Sequence, residues 1–309
     1  MSSMWRQVVN QVPYNIKHPI NTIIKRLQRQ SNQARALTPL KRHLRVWGRV
    51  LRWSYQLYIQ RRKPILIYQM GKVGSRTVEE TLNERGYIAI HTHFITGDWL
   101  EPYTDPEVWR IVQSKRLERL WVHNAIIKRE QPTQFITPVR DPISIIIASF
   151  FQHLDIHMGV ENAAQNVSVD ELLARFESYQ RPNITALVTW FEREVQTYLD
   201  INVFEHPFDA EQGHGRITQG NCDILLYKLE IPDERKIVAL EEFLGITDLS
   251  LVHANVGADK AYADLYKSFK KQVRVADDVL DTAYNSTLVR HFYTDAEIAR
   301  FRAKWQRDS

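Results

Sequence analysis

Ile65-Leu-Ile-Tyr68 runs through a glycine-containing turn, Gly71-Lys-Val-Gly-Ser-Arg-Thr77, into Thr77-Val-Glu-Glu-Thr-Leu-Asn-Glu-Arg85. Four apolar residues in a row, bounded by turn signals, fit a short strand buried on both faces. The stretch after the turn has helix-forming composition, with Val78 and Leu82 four positions apart and Gly86 to end it. A second short apolar run follows, Tyr87-Ile-Ala-Ile90, and ends in His91-Thr-His93. Strand, loop, helix and strand in this order predict a parallel pair joined by a right-handed crossover.

Working outward, Pro106 to Arg129 reads as helical and Phe135-Ile-Thr-Pro-Val139 as a third strand. Pro138 lacks a ladder donor, which predicts a strand end or a sheet edge. Arg140-Asp-Pro142 then opens a very apolar segment up to Leu154, with Pro142 suited to a first helical turn. Residues 169–200 read as helix, Ile224-Leu-Leu-Tyr-Lys-Leu229 as a fourth strand, and Pro232 to Leu244 as a helix closed by Gly245. Helices fill the tail from Tyr262 to Trp305, and Thr294-Asp-Ala-Glu297 has the spacing of a capping box. The pattern is α/β: a central, mostly parallel sheet flanked by helices.

At 309 residues and 44% apolar composition the chain can bury a sizeable core. One cysteine, Cys222, excludes an internal disulfide framework and a cysteine-based zinc site, and no metal is expected. Charge is unevenly placed. Fourteen of the 41 cations fall in residues 1–63, where there is no Asp or Glu, which leaves 27 cations against 36 acids in the rest. Two regions follow: a basic helical arm over 1–63, with breaks near Pro13, Pro19 and Pro39, and an α/β domain over 64–309.

In the arm, Leu37, Leu40, Leu44, Trp47, Leu51, Tyr55 and Tyr58 recur at helical spacing, with Lys41, Arg42, Arg45, Arg49 and Arg52 mostly off that stripe. Such a helix suits either an anionic membrane surface or polyanion, or packing on the domain. No apolar run reaches the length of a membrane span, and the start lacks the apolar core of a secretory signal. The expected location is cytoplasmic, with a peripheral place at the inner membrane face, and no specific nucleic acid partner is expected.

A loop from a buried strand to a helix N-terminus offers unpaired N–H groups and the positive end of the helix dipole to an anion. Gly71 and Gly74 permit the backbone to curl, Lys72 adds a charge, and Ser75 and Thr77 add hydroxyls. The order differs from a Walker loop, because the lysine precedes the second glycine and Arg76 separates Ser75 from Thr77. Arg140, ending another strand, is a bidentate phosphate donor, and Ser144 and Ser149 follow on its helix. Alone, each reads first as an ordinary turn; together they imply a nucleotide with phosphates at two positions.

Lys72-Val-Gly-Ser-Arg-Thr-Val78 followed by Arg140-Asp-Pro142 and Ser149-Phe-Phe resembles the paired donor-binding signatures of sulfotransferases. The resemblance is nearer to a sulfotransferase-like group of bacterial capsular polysaccharide synthesis proteins. It extends over about residues 64–307, through Trp190-Phe-Glu192, His206-Pro-Phe-Asp209, Leu229-Glu230, Tyr284-Asn-Ser286 and His291-Phe-Tyr-Thr-Asp295.

The resemblance implies a P-loop-like sulfotransferase fold and 3′-phosphoadenosine 5′-phosphosulfate (PAPS) as co-substrate. Gly71, Lys72, Val73, Gly74, Ser75, Arg76 and Thr77 would bind its 5′-phosphosulfate, and Arg140 and Ser149 its 3′-phosphate. In that family the serine stands eight residues after the arginine, which here is Ala148, so Ser149 would point about 100° away on a helix. The implied reaction is sulfuryl transfer to a hydroxyl of a carbohydrate or glycolipid acceptor, in capsular or extracellular polysaccharide synthesis.

Such a reaction needs fixed positive charge, which Lys72 supplies, and a base for the acceptor hydroxyl. His93 and His91 end the second strand on one side of it and are the candidates, with Glu101, Asp98 and His153 as rivals. Trp190 and Phe191 read as core. A divergent nucleotide-dependent kinase and a non-catalytic polysaccharide-assembly factor are the alternative readings.

Overall fold

The computed structural model describes residues 38–252 and 262–306, with the side chains of residues 38–43 and 45 outside the description. The helix breaks expected near Pro13 and Pro19 lie outside the described residues. Two compact units divide the chain, Met1–Leu51 and Arg52–Ser309.

Helix α1, Thr38–Ser54, starts in the first unit with Pro39 in its first turn, and Leu44, Trp47 and Leu51 are exposed. Composition changes at Pro64, but residues 52–63 belong to the second unit. There Trp53 is buried against Trp121, whose indole N–H donates to Ser54 Oγ at 2.8 Å.

The second unit is built on a five-stranded sheet in the order β2-β1-β3-β5-β4. β1, Pro64–Tyr68, lies parallel to β2, Ile88–Thr92, on one side and to β3, Thr133–Val139, on the other. β3 pairs in parallel with β5, Cys222–Lys228, and β5 pairs antiparallel with the edge strand β4, His214–Gln219. All five residues of β1 are buried, which explains its unbroken apolar run.

Two strand expectations need correction. β3 is central, so Pro138 does not mark an edge. Pairing with β1 ends at Ile67↔Ile136, and Val139 O accepts from Leu229 N on the β5 side. By alternation Pro138 faces the side where β1 has already turned away, so its missing N–H breaks no ladder bond. β4 was not foreseen, because Ile217 is its only strongly apolar residue and one edge face is wet. The Gly220-Asn221 pair between Gln219 and Cys222 is the hairpin signal that reveals it.

Helix α2, Ser75–Glu84, and a later helix cover one face of the sheet. Val78 and Leu82 from α2 join Ile65, Ile67, Ala89, Ile136, Leu225 and Tyr227 in a single apolar cluster. The segment 106–129 resolves into α3, Pro106–Gln113, α4, Arg116–Val122, and a π-helical turn, His123–Ile127. α5, Pro142–Gln152, follows β3, and α6, Val169–Val188, packs against it. α6 gives way to a π-helical turn, Phe191–Gln196, so the helix expected over 169–200 is interrupted.

On the opposite face of the sheet, Tyr68 meets Trp190 at 5.0 Å between ring centroids. α7, Asp233–Leu244, adds Ala239, Leu240 and Phe243 to the first face. α8, Ala263–Gln272, α9, Asp277–Tyr284, α10, Thr287–Phe292, and α11, Asp295–Trp305, complete the described chain. α11 starts with the expected capping box, Thr294 and Glu297 each bonding the other's backbone.

β1 feeds its crossover to β2 on one side, while the chain returns to β3 on the other. The carboxyl ends of β1 and β3 therefore border a topological switch point, the crevice where open α/β sheets take ligands.

Candidate functional site

That crevice opens into a cavity of about 940 Å³, lined by Gly71, Lys72, Gly74, Ser75 and Arg76 from the loop after β1, and by Arg140 from the end of β3. The two predicted anion sites thus share one wall. They are tied together, since Arg140 Nη1 donates to Lys72 O at 2.8 Å. Gly71, Lys72 and Gly74 all have positive φ, at 96°, 56° and 73°. For Lys72 that conformation costs of order 1 kcal/mol and is held by its surroundings. At Gly74 a Cβ would also lie 2.8 Å from Leu229 Cδ1. Val73 is fully buried, and neither it nor Thr77 lines the cavity.

Gln69, which the sequence reading passed over, organises the loop. Completely buried, its Oε1 accepts from Gly71 N and its Nε2 contacts Ser75 Oγ at 3.0 Å, His91 Nε2 at 2.6 Å and His93 Nδ1 at 2.8 Å. Ser75 Oγ also lies 2.9 Å from His91 Nε2, so this hydroxyl is engaged by Gln69 and β2. As the alternation along β2 required, the two imidazoles stand together, 4.6 Å apart and edge to face. Burial holds both rings neutral. His93 falls to about 4 through burial and the field of Lys115, and His91 falls well below the usual range through burial, His93 and Lys115.

Of the rival bases, His153 lines the cavity, whereas Asp98 and Glu101 are exposed outside it. Ser149 and Ala148 both line it, from consecutive positions of α5. Trp190 is core, as expected, and its indole N–H also donates to His93 O at 2.9 Å, fixing the strand end that carries the histidine.

Asp141 was one half of what read as an ordinary turn. Instead it is buried and caps α5, its carboxylate accepting from Ile143 N, Ser144 N and Ser144 Oγ, from Tyr284 OH at 2.9 Å and from Trp305 Nε1 at 3.0 Å. Its own N–H donates to Glu230 Oε1 at 2.8 Å, and Tyr293 OH donates to the other oxygen of Glu230 at 3.0 Å. Residues remote in the chain therefore lock the strand end that presents Arg140.

Glu194 plays the same part beneath β2. Fully buried in the π-helical turn, it accepts from Tyr68 OH at 2.5 Å, Ile95 N at 2.7 Å and Trp99 Nε1 at 2.6 Å. Burial pushes its carboxyl up to about 7, against the pull of these three donors. With the folded pKa above the ordinary 4.5, the stability tied to this group is complete below about pH 4.5 and is lost as pH rises through 7. We expect about 3 kcal/mol to be lost across pH 5 to 8 from this group, at 1.36 kcal/mol per pH unit. In Glu194→Gln the slope of urea-derived stability against pH should flatten in that window; an unchanged slope would show that the carboxyl does not titrate there.

Among the described residues no cluster of His, Cys, Asp or Glu could hold a metal, and no helix is long and apolar enough to cross a membrane. No curated protein and no solved structure matches the chain. Residues 166–294 match the family described as "Putative capsular polysaccharide synthesis protein". The matched stretch holds Glu194, Glu230 and Tyr284 and stops short of the loop at 71–77 and of Arg140, and across it this chain is similar to a family associated with capsular polysaccharide synthesis.

Proposed function

We propose that the cavity binds PAPS and transfers its sulfuryl group to a hydroxyl of a glycan or glycolipid. One observation carries the reading: a glycine-containing loop at the end of β1 and an arginine at the end of β3 are bonded to each other on one wall of a switch-point cavity. Six cations line the cavity, Lys72, Arg76, Lys115, Arg119, Arg140 and Lys270, against two carboxylates, Asp105 and Glu118. A field of that sign favours a multiply charged anion and stabilises charge developing on a leaving phosphate. Neutral histidine at its edge supplies a base for the acceptor hydroxyl. The His93 ring is held with Nδ1 2.8 Å from Gln69 Nε2 and 3.2 Å from Gln69 O.

Calorimetry on the full chain tests this. Adenosine 3′,5′-bisphosphate should bind, ATP should bind much more weakly, and Lys72→Ala should abolish the bisphosphate signal. His93→Ala should leave nucleotide affinity intact and lower the rate of sulfate transfer by about 10² or more. Preference for ATP would replace the reading with a kinase, and nucleotide binding without transfer to any envelope glycan would leave an assembly factor.

The exposed Leu44, Trp47 and Leu51 of α1, in an arm free of acids, support a peripheral place at an anionic membrane surface. Trp47→Glu should then reduce flotation with vesicles containing anionic lipid. Equal flotation of both proteins would remove that part of the proposal.

A further inference from the structure

One wall of the cavity, formed by α6 and by the short helix Leu154–Met158 that follows α5, brings neither a cation nor a carboxylate to the lining. It presents His153, His157, Tyr179 and Asn183 instead. Tyr179, Asn183 and Leu187 recur every four residues on α6 and therefore share a face, with Leu187 adding apolar surface beside the two polar groups. The His157 ring is stacked on Phe150 at 5.3 Å and meets the Tyr179 ring edge to face at 4.8 Å. Packing thus fixes both rings.

Their polar tips are uncommitted. Asn183 Nδ2 donates to Tyr179 O at 2.7 Å, which leaves Oδ1 as an acceptor. Among the described residues, no side chain or backbone group bonds Tyr179 Oη or the ring nitrogens of His153 and His157. None of these atoms is among the side-chain nitrogens and oxygens sealed from solvent without a partner, so they keep accessible surface where their residues line the cavity. Burial and the field of Lys72 hold His153 below its ordinary value, and burial takes His157 to about 4. Both imidazoles are neutral at pH 7, and each offers one donor and one acceptor.

The wall therefore both gives and takes hydrogen bonds. An anion only accepts and would leave the acceptors unmet, whereas a sugar hydroxyl does both. Asp105, the N-cap of α3, also lines the cavity, and its field reaches His157, which further disfavours an anion at this wall. The Lys72 field at His153 brings the wall near the loop after β1. A volume of about 940 Å³ lies near the top of the range for small-molecule sites, so a second ligand has room beside a nucleotide.

We infer that His153, His157, Tyr179 and Asn183 form the acceptor subsite, and that it takes an uncharged pyranose of the acceptor glycan through its hydroxyls. That the sugar is an acceptor rests on the sulfuryl-transfer reading; that the wall takes a neutral sugar rests on its own side chains.

The test is calorimetry on the full chain, with and without adenosine 3′,5′-bisphosphate, using neutral hexasaccharides of glucose, of galactose and of mannose, and one hexasaccharide containing glucuronate. At least one neutral form should bind, and the glucuronate form should bind at least tenfold more weakly than it. Tyr179→Phe removes only a hydroxyl and Asn183→Ala only an amide, so each should weaken the neutral sugar by about tenfold, the effect of one hydrogen bond. Neither should alter affinity for the nucleotide, and an unchanged thermal midpoint reports that both variants are folded.

Preference for the glucuronate form, failure of every neutral form to bind, or sugar binding that ignores both substitutions would overturn the inference. So would a fall in nucleotide affinity in Tyr179→Phe, which would give this wall to the nucleoside. Should the nucleotide fail to bind the parent chain while neutral-sugar binding still depends on Tyr179, the donor reading falls and the sugar site stands.

Discussion

We expect Asp141→Ala to lower the unfolding free energy by about 4 kcal/mol, through lost capping and several buried donors left without an acceptor. The side chain accepts five hydrogen bonds, and two come from Tyr284 and Trp305, which are 2% and 1% exposed. Water cannot readily replace the carboxylate there, so Tyr284 OH and Trp305 Nε1 each lose a bond at full desolvation cost. For a domain of this size the midpoint of thermal unfolding should fall by roughly 10 °C. Asp141→Asn retains an acceptor and should fall between the two. A thermal midpoint for Asp141→Ala close to that of the parent would show that α9 and α11 do not depend on this residue.

Arg140→Ala should weaken binding of adenosine 3′,5′-bisphosphate about a hundredfold while leaving thermal stability nearly unchanged. The magnitude follows from losing a charge-assisted, fork-shaped contact to phosphate, about 2–3 kcal/mol. Stability is spared because Arg140 is only partly buried and its one hydrogen bond among the described residues goes to Lys72 O. Arg140→Lys keeps the charge without the planar fork and should recover part of the affinity. On this expectation the pair separates site from scaffold, Asp141 acting on folding and Arg140 on the proposed ligand. If both Arg140 variants bind the nucleotide as the parent does, the end of β3 is not a phosphate site and the donor reading loses half its basis.

The four strands of the parallel core were readable because each is short, apolar and bounded by turn residues, and because burial on both faces removes the need for polar alternation. The loop at 71–77 was readable through Gly71 and Gly74, whose positive φ values only glycine adopts without strain. Capping of α11 was legible too, since Thr294 and Glu297 lie three residues apart. β4 was missed because an edge strand with one wet face needs only Ile217 inside.

Gln69 and Glu194 escaped for a different reason. Each is a common polar residue in an unremarkable local setting, and its burial comes from segments far away in the chain. Tyr68 and Glu194 are 126 residues apart, and Asp141 and Trp305 are 164 apart. Hydrophobic periodicity and turn chemistry act over a few residues, so the linear chain alone suffices for the α/β pattern and the glycine-containing loop after β1. Desolvation and hydrogen-bond satisfaction act only once distant elements pack. The neutral histidine pair and the lock on Arg140 therefore belong to the folded chain and not to any stretch of its sequence.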